Sequence, residues 1–413
     1  MNKQSFMWLT ISSKIFVDFL GDAKLLLYDT SNGNFMYSCD KKLYDIVSRL
    51  YLPGNLGVIP YETSFAQIIK EAISKRFLSV CERQNATKPI NLLPILSLQK
   101  DLERDLPGQI TGDKYALLGN KLYYLSGIYV SLDCGVTADE KLACYRNMAS
   151  RQYPCIRYSK EYSCLSEFML SSLLEQIKSS SVAVVDFVCS YRFYKEYSVQ
   201  SLVTLLEGYP YKYRMHIYAE DYVSLCEQDR LTLSEVCQLF VYMDAFTPQT
   251  IKEFMNNQTI TCRRYHLLYS SSEQELSGHF ECLPVWTNEN EMMFKENVWT
   301  SLEDLQQDSR NMSYLFRNQK LNSNFFGILD VSYLGEIYPH GSFHRLGNIA
   351  NKYAIVEAIS SEFRENHSWR RTRNHLSHCQ SCPFRFVCPP VAISELMRPD
   401  IKMCNINSDK NEK

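Results

Sequence analysis

The chain has 413 residues, 45% of them hydrophobic and 13% aromatic, with 44 basic and 46 acidic side chains and a net charge of -2. That length and apolar content suffice for two or three globular domains. The even charge balance leaves no basic footprint for nucleic acid, and no run of about 18 apolar residues is present to span a membrane.

Lys3 precedes the stretch MWLTISSKIF, in which polar residues interrupt the apolar run, and no small-residue cleavage site follows. No secretory signal is therefore expected, and the fifteen cysteines are expected to be reduced in a cytoplasmic protein. Alternation in AKLLLYDT and NFMYSCD, joined by Ser31-Asn32-Gly33-Asn34, predicts a β-hairpin. Amphipathic helices are predicted at KKLYDIVSRLYL, where Leu43, Ile46, Val47 and Leu50 repeat at helical spacing, and at SFAQIIKEAISKRF. These elements describe a small α+β module over residues 1–88, closed by the polar linker ERQNATK. It has no nucleophile beside a base and no phosphate loop, so its expected task is to bind a polypeptide at the hairpin edge or to cap the next domain. Because the cysteine cluster described below lies beyond residue 378, removal of residues 1–85 is expected to leave metal content intact.

Residues 89–300 read as alternating strands and helices. SGIYVSLD, SVAVVDFVC, KYRMHIYAE, VCQLFVYMD and TCRRYHLLYS are near-continuous apolar runs, as in strands buried on both faces. Helical segments lie between them, so an α/β fold with a parallel sheet or partial (βα) barrel is predicted, with its site at the carboxyl ends of the strands. Asp133 and Cys134 follow the first strand, Cys189-Ser190-Tyr191-Arg192 the second and Asp244-Ala245 the fourth. No Gly-rich phosphate loop or Ser-His-Asp order emerges.

Residues 301–413 contain a predicted hairpin turning near Tyr333-Leu334-Gly335, then His340 and His344, then Cys379, Cys382, Cys388 and Cys404 within 26 residues. The Cys-x2-Cys-x5-Cys spacing lets one tight turn aim three thiolates at a point, with Cys404 returning to complete four ligands. An iron–sulfur cluster, a zinc ion and a loop of buried or disulfide-paired cysteines are the three readings of that pattern; zinc sites usually pair two short Cys spacings, and here there is one. His340, His344, His375 and His378 are further candidate ligands, of which His378, beside Cys379, is the best placed.

Leu-Gly-Glu-Ile-Tyr-Pro, Leu-Gly-Asn-Ile and Cys-x2-Cys-x5-Cys after a βα barrel resemble a radical S-adenosylmethionine (SAM) peptide-maturing enzyme with a SPASM or twitch extension. More closely, the chain resembles the pseudo-radical-SAM proteins of the Bacteroidales Gly-Gly peptide-modification system. That resemblance implies a degenerate radical SAM partial barrel, an N-terminal winged-helix-like peptide-recognition module and a C-terminal SPASM/twitch-like domain. It assigns Cys379, Cys382, Cys388 and Cys404 to one auxiliary 4Fe-4S cluster. The cysteine that would serve a second cluster is replaced by Ala392, and the hairpin cysteine after Tyr-Pro by His340. In the family the first βα loop carries Cys-x3-Cys-x2-Cys, but here nine residues separate Cys134 from Cys144 and the third position is Asn147. The glycine pair that receives the SAM amino group is replaced by Cys189-Ser190. The resemblance thus implies a non-catalytic partner of a ribosomal precursor peptide and of a complete radical SAM maturase, with SAM binding not expected. The alternative is a redox enzyme acting on a peptide through the surviving cluster.

Overall fold

The computed structural model describes residues 5–21, 23–84, 86–91, 93, 121–134, 161–243, 261–270, 280–287 and 289–406. Its largest element is a nine-stranded sheet that begins with β7 (Gly127–Ser131), β8 (Val184–Val188), β9 (Lys212–Tyr218), β10 (Cys237–Met243), β11 (Cys262–Leu268) and β12 (Glu281–Pro284). These six strands pair in chain order, all parallel, which is the order of an opened βα barrel. The first five are those read from the apolar runs; β12, with Glu281 at one end and Pro284 at the other, lacks the β-branched character that would have marked it.

Each strand shows two faces. Ile128, Val130, Val185, Phe187, Met215, Ile217, Leu239 and Val241 are buried in one core with Leu170, Leu173 and Leu174 of the Glu167–Gln176 helix and Leu202, Val203 and Leu206 of the Val199–Glu207 helix. Ser166 and Ser198 start those helices by accepting backbone N–H groups with their hydroxyls. Tyr129, Asp186, His216, Phe240, Tyr242 and Tyr265 point the other way, and all six are buried. The strands are therefore covered on both sides, as their composition predicted, but one side is aromatic and polar.

On the free side of β7 the sheet continues with β13 (Ile328–Val331), parallel to β7, then β14 (Glu336–Pro339) and β15 (Gly347–Asn348), both antiparallel. The β13–β14 hairpin turns at the expected place. Gly335 takes φ +73 there, where a Cβ would lie 2.5 Å from Met169 Cε and 2.9 Å from Ile349 Cγ1. The hairpin thus extends the parallel sheet across the division expected near residue 300.

The first 84 residues hold two antiparallel three-stranded sheets. One orders β5 (Val58–Pro60), β1 (Phe6–Ile11) and β6 (Leu78–Arg83); the other orders β2 (Ile15–Leu20), β3 (Lys24–Asp29) and β4 (Phe35–Ser38). The β3–β4 hairpin and the Lys41–Leu50 helix follow the sequence reading, and Leu43, Ile46, Val47 and Leu50 are all buried. One expectation is corrected, and one stretch for which no element was expected gains two strands. MWLTISSKIF, read as an interrupted apolar run, supplies β1 and the start of β2, and SFAQIIKEAISKRF forms only a 3-10 turn at Thr63–Phe65 and a five-residue helix at Lys70–Ser74. Partner strands satisfy the first segment's backbone, whereas in the second the helix starts only at Lys70, after the non-helical Ile69, and stops before Arg76 with φ +65.

The β2–β3–β4 sheet is also buried on both faces. Ile15, Leu25 and Leu27 face the module's own core, whereas Phe16, Leu20, Leu26 and Tyr28 pack on Leu305, Leu315, Phe384, Phe386 and Val387. Asp18 pairs with Arg385 at 2.9 Å in this contact, Phe35 meets Phe384 edge-on at 4.7 Å between centroids, and the Tyr28 hydroxyl accepts the Arg310 N–H. Each large apolar side chain buried here contributes about 1.5–3 kcal/mol. The N-terminal module is thereby packed onto the segment that carries the cysteines.

Candidate metal centre

Short turns build the cysteine segment. The Cys379 N–H donates to Leu376 O, Cys382 N–H to Cys379 O, and Cys388 N–H to Phe384 O, at 2.8–3.0 Å. Pro383, Pro389 and Pro390 restrict φ between these bonds. A row of asparagines from the preceding helix and loop then grips the carbonyls that follow. Asn318 Nδ2 donates to Phe386 O and Cys388 O, Asn322 Nδ2 to Arg371 O and Val391 O, and Asn324 Nδ2 to Val391 O, each at 3.0–3.1 Å. Asn405, next to Cys404, ties the returning chain down by donating its N–H to Thr300 O at 3.1 Å.

The four thiols share one electrostatic neighbourhood. Burial pushes the Cys388 thiol far up, the charges of Cys382, Cys404 and Cys379 push it further, and Arg373 opposes them. Burial raises Cys379 to about 11, again against Arg373, and raises Cys382 as well. Arg373 is itself buried. Its Nη1 lies 3.7 Å from Cys379 Sγ, and its Nη1 and Nη2 bind both oxygens of buried Glu395 at 2.8 and 3.2 Å. Burial alone would lower the Arg373 pKa, but Glu395, Cys388 and Cys379 together outweigh it and hold the guanidinium charged. One fixed cation therefore faces a set of thiols whose deprotonation would otherwise concentrate negative charge in a buried loop.

Four thiolates can serve either an iron–sulfur cluster or a single zinc ion. Tetrahedral zinc with bonds of about 2.3 Å needs sulfurs about 3.8 Å apart. Among the described residues, no three of these four sulfurs come within 4.8 Å of one another, and a four-iron cube spreads its ligands more widely. His378, beside Cys379, has both ring nitrogens buried with no hydrogen-bond partner among the described residues, and burial lowers its pKa. The other histidines go elsewhere. His340 Nδ1 pairs with Asp330 at 2.7 Å while its ring stacks on Tyr129, and His375 Nδ1 accepts the Thr372 N–H at 3.2 Å.

At the carboxyl end of β7 and β8 the chain uses its polar groups on itself. Cys134 Sγ accepts the Ser163 N–H at 3.1 Å and donates to Glu161 O at 3.3 Å. Asp133 receives the Ser190 N–H at 3.0 Å and the Ser190 hydroxyl, so both polar groups of Ser190 are directed to Asp133. Burial pushes Asp133 up to about 6, against the two Ser190 hydrogen bonds. Cys144, Asn147, Cys155 and Asp244-Ala245 lie outside the described residues.

The polar face of the sheet carries groups that the motif search passed over. His216 bridges Asp186 Oδ1 through Nε2 and the Tyr242 hydroxyl through Nδ1, both at 2.8 Å, and Tyr129 lies between this trio and the Asp330–His340 pair. The available signal was an Asp and a His embedded in VVDFV and RMHIY, since buried polar residues inside apolar strands require partners.

No family model and no curated protein matches the chain. Among solved structures, native anSMEcpe with bound AdoMet is similar at 14% identity over 63% of this chain and 88% of that one, with a TM-score of 0.41. A heterocyclase in complex with substrate and cofactor gives 10% identity over 50% of this chain and 23% of that one, with a TM-score of 0.13. The heterocyclase TruD gives 10% over 51% and 25%, with a TM-score of 0.12. Likeness at this level carries no argument about family or activity. Among the described residues, no helix is long and apolar enough to cross a membrane.

Proposed function

We propose that the chain is a degenerate radical SAM protein that carries one auxiliary 4Fe-4S cluster on Cys379, Cys382, Cys388 and Cys404. Its role is to hold a ribosomally made precursor peptide, a partner radical SAM maturase, or both, without cleaving SAM itself. The observation that carries this reading is the mutual influence of Cys379, Cys382, Cys388 and Cys404, with Arg373 against Cys379, in a segment buttressed by Asn318, Asn322 and Asn324. A four-cysteine cluster has no open iron, so it supplies a brace or an electron relay rather than a substrate site. The engagement of Cys134 by Ser163 and Glu161, and of Asp133 by Ser190, supports the absence of SAM chemistry at the strand ends. The terminal strands β4 and β6 of the two N-terminal sheets offer edges to which an extended peptide can add.

The test pairs two assays on the anaerobically purified protein. A labelled precursor peptide should bind with a micromolar Kd, roughly 8 kcal/mol, because the peptide is ordered as it binds. Incubation with SAM and dithionite should give no 5′-deoxyadenosine above a no-protein control, and its production would overturn the proposal. A second reading, a redox enzyme acting on a peptide through the cluster, is favoured by one observation, the buried Asp186–His216–Tyr242 relay. Covalent change of the peptide that is lost in His216→Gln but not in an N-terminal strand variant would favour it.

A further inference from the structure

The β14–β15 loop and the carboxyl end of the Ala354–Glu365 helix bring together three side chains that the cluster does not use. His344, Glu365 and His367 present donor atoms that all lie within 4.8 Å of one another. The fold holds them there. Asn366, at φ +58, ends the helix and turns the chain so that His367 returns beside Glu365. Fully buried Glu362 pins this turn by accepting the N–H groups of His367, Ser368 and Trp369 at 2.8–3.0 Å. The Ser342 hydroxyl fixes the facing loop by accepting the His344 N–H at 3.1 Å.

The Glu365 carboxylate is oriented for a shared ligand. Its Oε1 is occupied by the Ser361 hydroxyl at 2.8 Å and Arg364 Nη2 at 3.2 Å. Its Oε2 faces His367 Nε2 at 2.9 Å and His344 Nε2 at 3.4 Å, while the two imidazoles stack with centroids 3.7 Å apart. Two cofacial rings whose Nε2 atoms face one carboxylate oxygen can, once an incoming ion displaces the Nε2 protons, supply two nitrogens and an anionic oxygen, which is the donor set that borderline divalent ions take. His367 also lines a cavity of about 290 Å³ with Ser342, Phe343, Arg371 and His375, which leaves room beside the triad for a water or an added ligand.

We propose that His344, Glu365 and His367 form a divalent transition-metal site of the two-histidine, one-carboxylate type, with zinc-like ions as its ligand class and a coordination position left open. The site is independent of the four cysteines. Cobalt(II) is the probe, added to the full chain after its cysteine site has been loaded anaerobically and loose metal removed by chelator. One further equivalent should bind in the micromolar range, with ligand-field bands and no thiolate charge-transfer band. His344→Ala, His367→Ala and Glu365→Gln should each weaken binding by roughly tenfold or more, and His344→Asp, which keeps a ligand, should recover part of the loss. His344 is half exposed, so its variants should melt with the parent protein. Absence of the extra equivalent, a spectrum with thiolate bands alone, or binding that survives the His344→Ala/His367→Ala double variant would overturn the proposal.

Discussion

Arg373 meets two demands with one guanidinium, neutralising Glu395 and facing the cysteine sulfurs. Arg373→Leu would leave Glu395 buried without its cation, a loss of about 3–5 kcal/mol. The double variant Arg373→Leu/Glu395→Leu should regain most of that stability in thermal melts yet still retain less iron, because the charge facing Cys379 is gone. Equal iron in the double variant and the parent would show that the ion pair is structural only. Asp133 gives a pH signature. Its folded pKa, about 6, lies above its ordinary 3.8, so the folded state binds the proton more tightly between those values. The stability that this proton confers is fully present below pH 4 and is lost as pH rises through about 6, about 3 kcal/mol. Asp18, also raised to about 6 by burial against the pull of Arg385, acts in the same direction. Asp133→Asn can still meet both Ser190 groups and should flatten the stability change between pH 4 and 7; an unchanged profile in urea melts would assign the effect elsewhere.

Among the elements, the turn between β3 and β4 is the most exacting. Gly33 takes φ +77, and a Cβ there would lie 2.5 Å from the Gln306 carbonyl oxygen. Gly33→Ala should cost about 1–3 kcal/mol through backbone strain alone, and more if the hairpin lifts from the Leu302–Gln307 helix, as measured by thermal melting. The Asn-Gly pair revealed that hairpin in the sequence, as the period of Leu43, Ile46, Val47 and Leu50 revealed the helix after it. The apolar runs likewise revealed the parallel strands β7 to β11. What the sequence concealed depends on tertiary partners. MWLTISSKIF has a broken pattern because Ser12 and Ser13 lie in the turn between two strands, and Leu26 and Tyr28 read as one face of a hairpin although they serve a second core. The four cysteines were singled out by their spacing. Arg373, Glu395 and the three asparagines were not, since the contacts that tie them to the segment run largely across 16 residues or more and belong to no motif.

Across the whole molecule, the N-terminal module, the cysteine segment and the sheet extension share cores, so no one of them is a detachable part. Removing residues 1–84 would strip Phe16, Leu20, Leu26 and Tyr28 from Phe384, Phe386 and Val387 and leave Arg385 without Asp18. The packing therefore reverses the expectation that iron content survives such a truncation: the shortened protein should lose iron and expose apolar surface to a hydrophobic dye. Full iron retention would make the module a separable binding unit. The identity of the metal centre is tested most directly by iron and acid-labile sulfide analysis of the anaerobically purified protein and of Cys388→Ser. About four irons and four sulfides per chain, lost in the variant, are expected. Stoichiometric zinc without iron, or iron unaffected by removal of Cys388, would contradict the cluster.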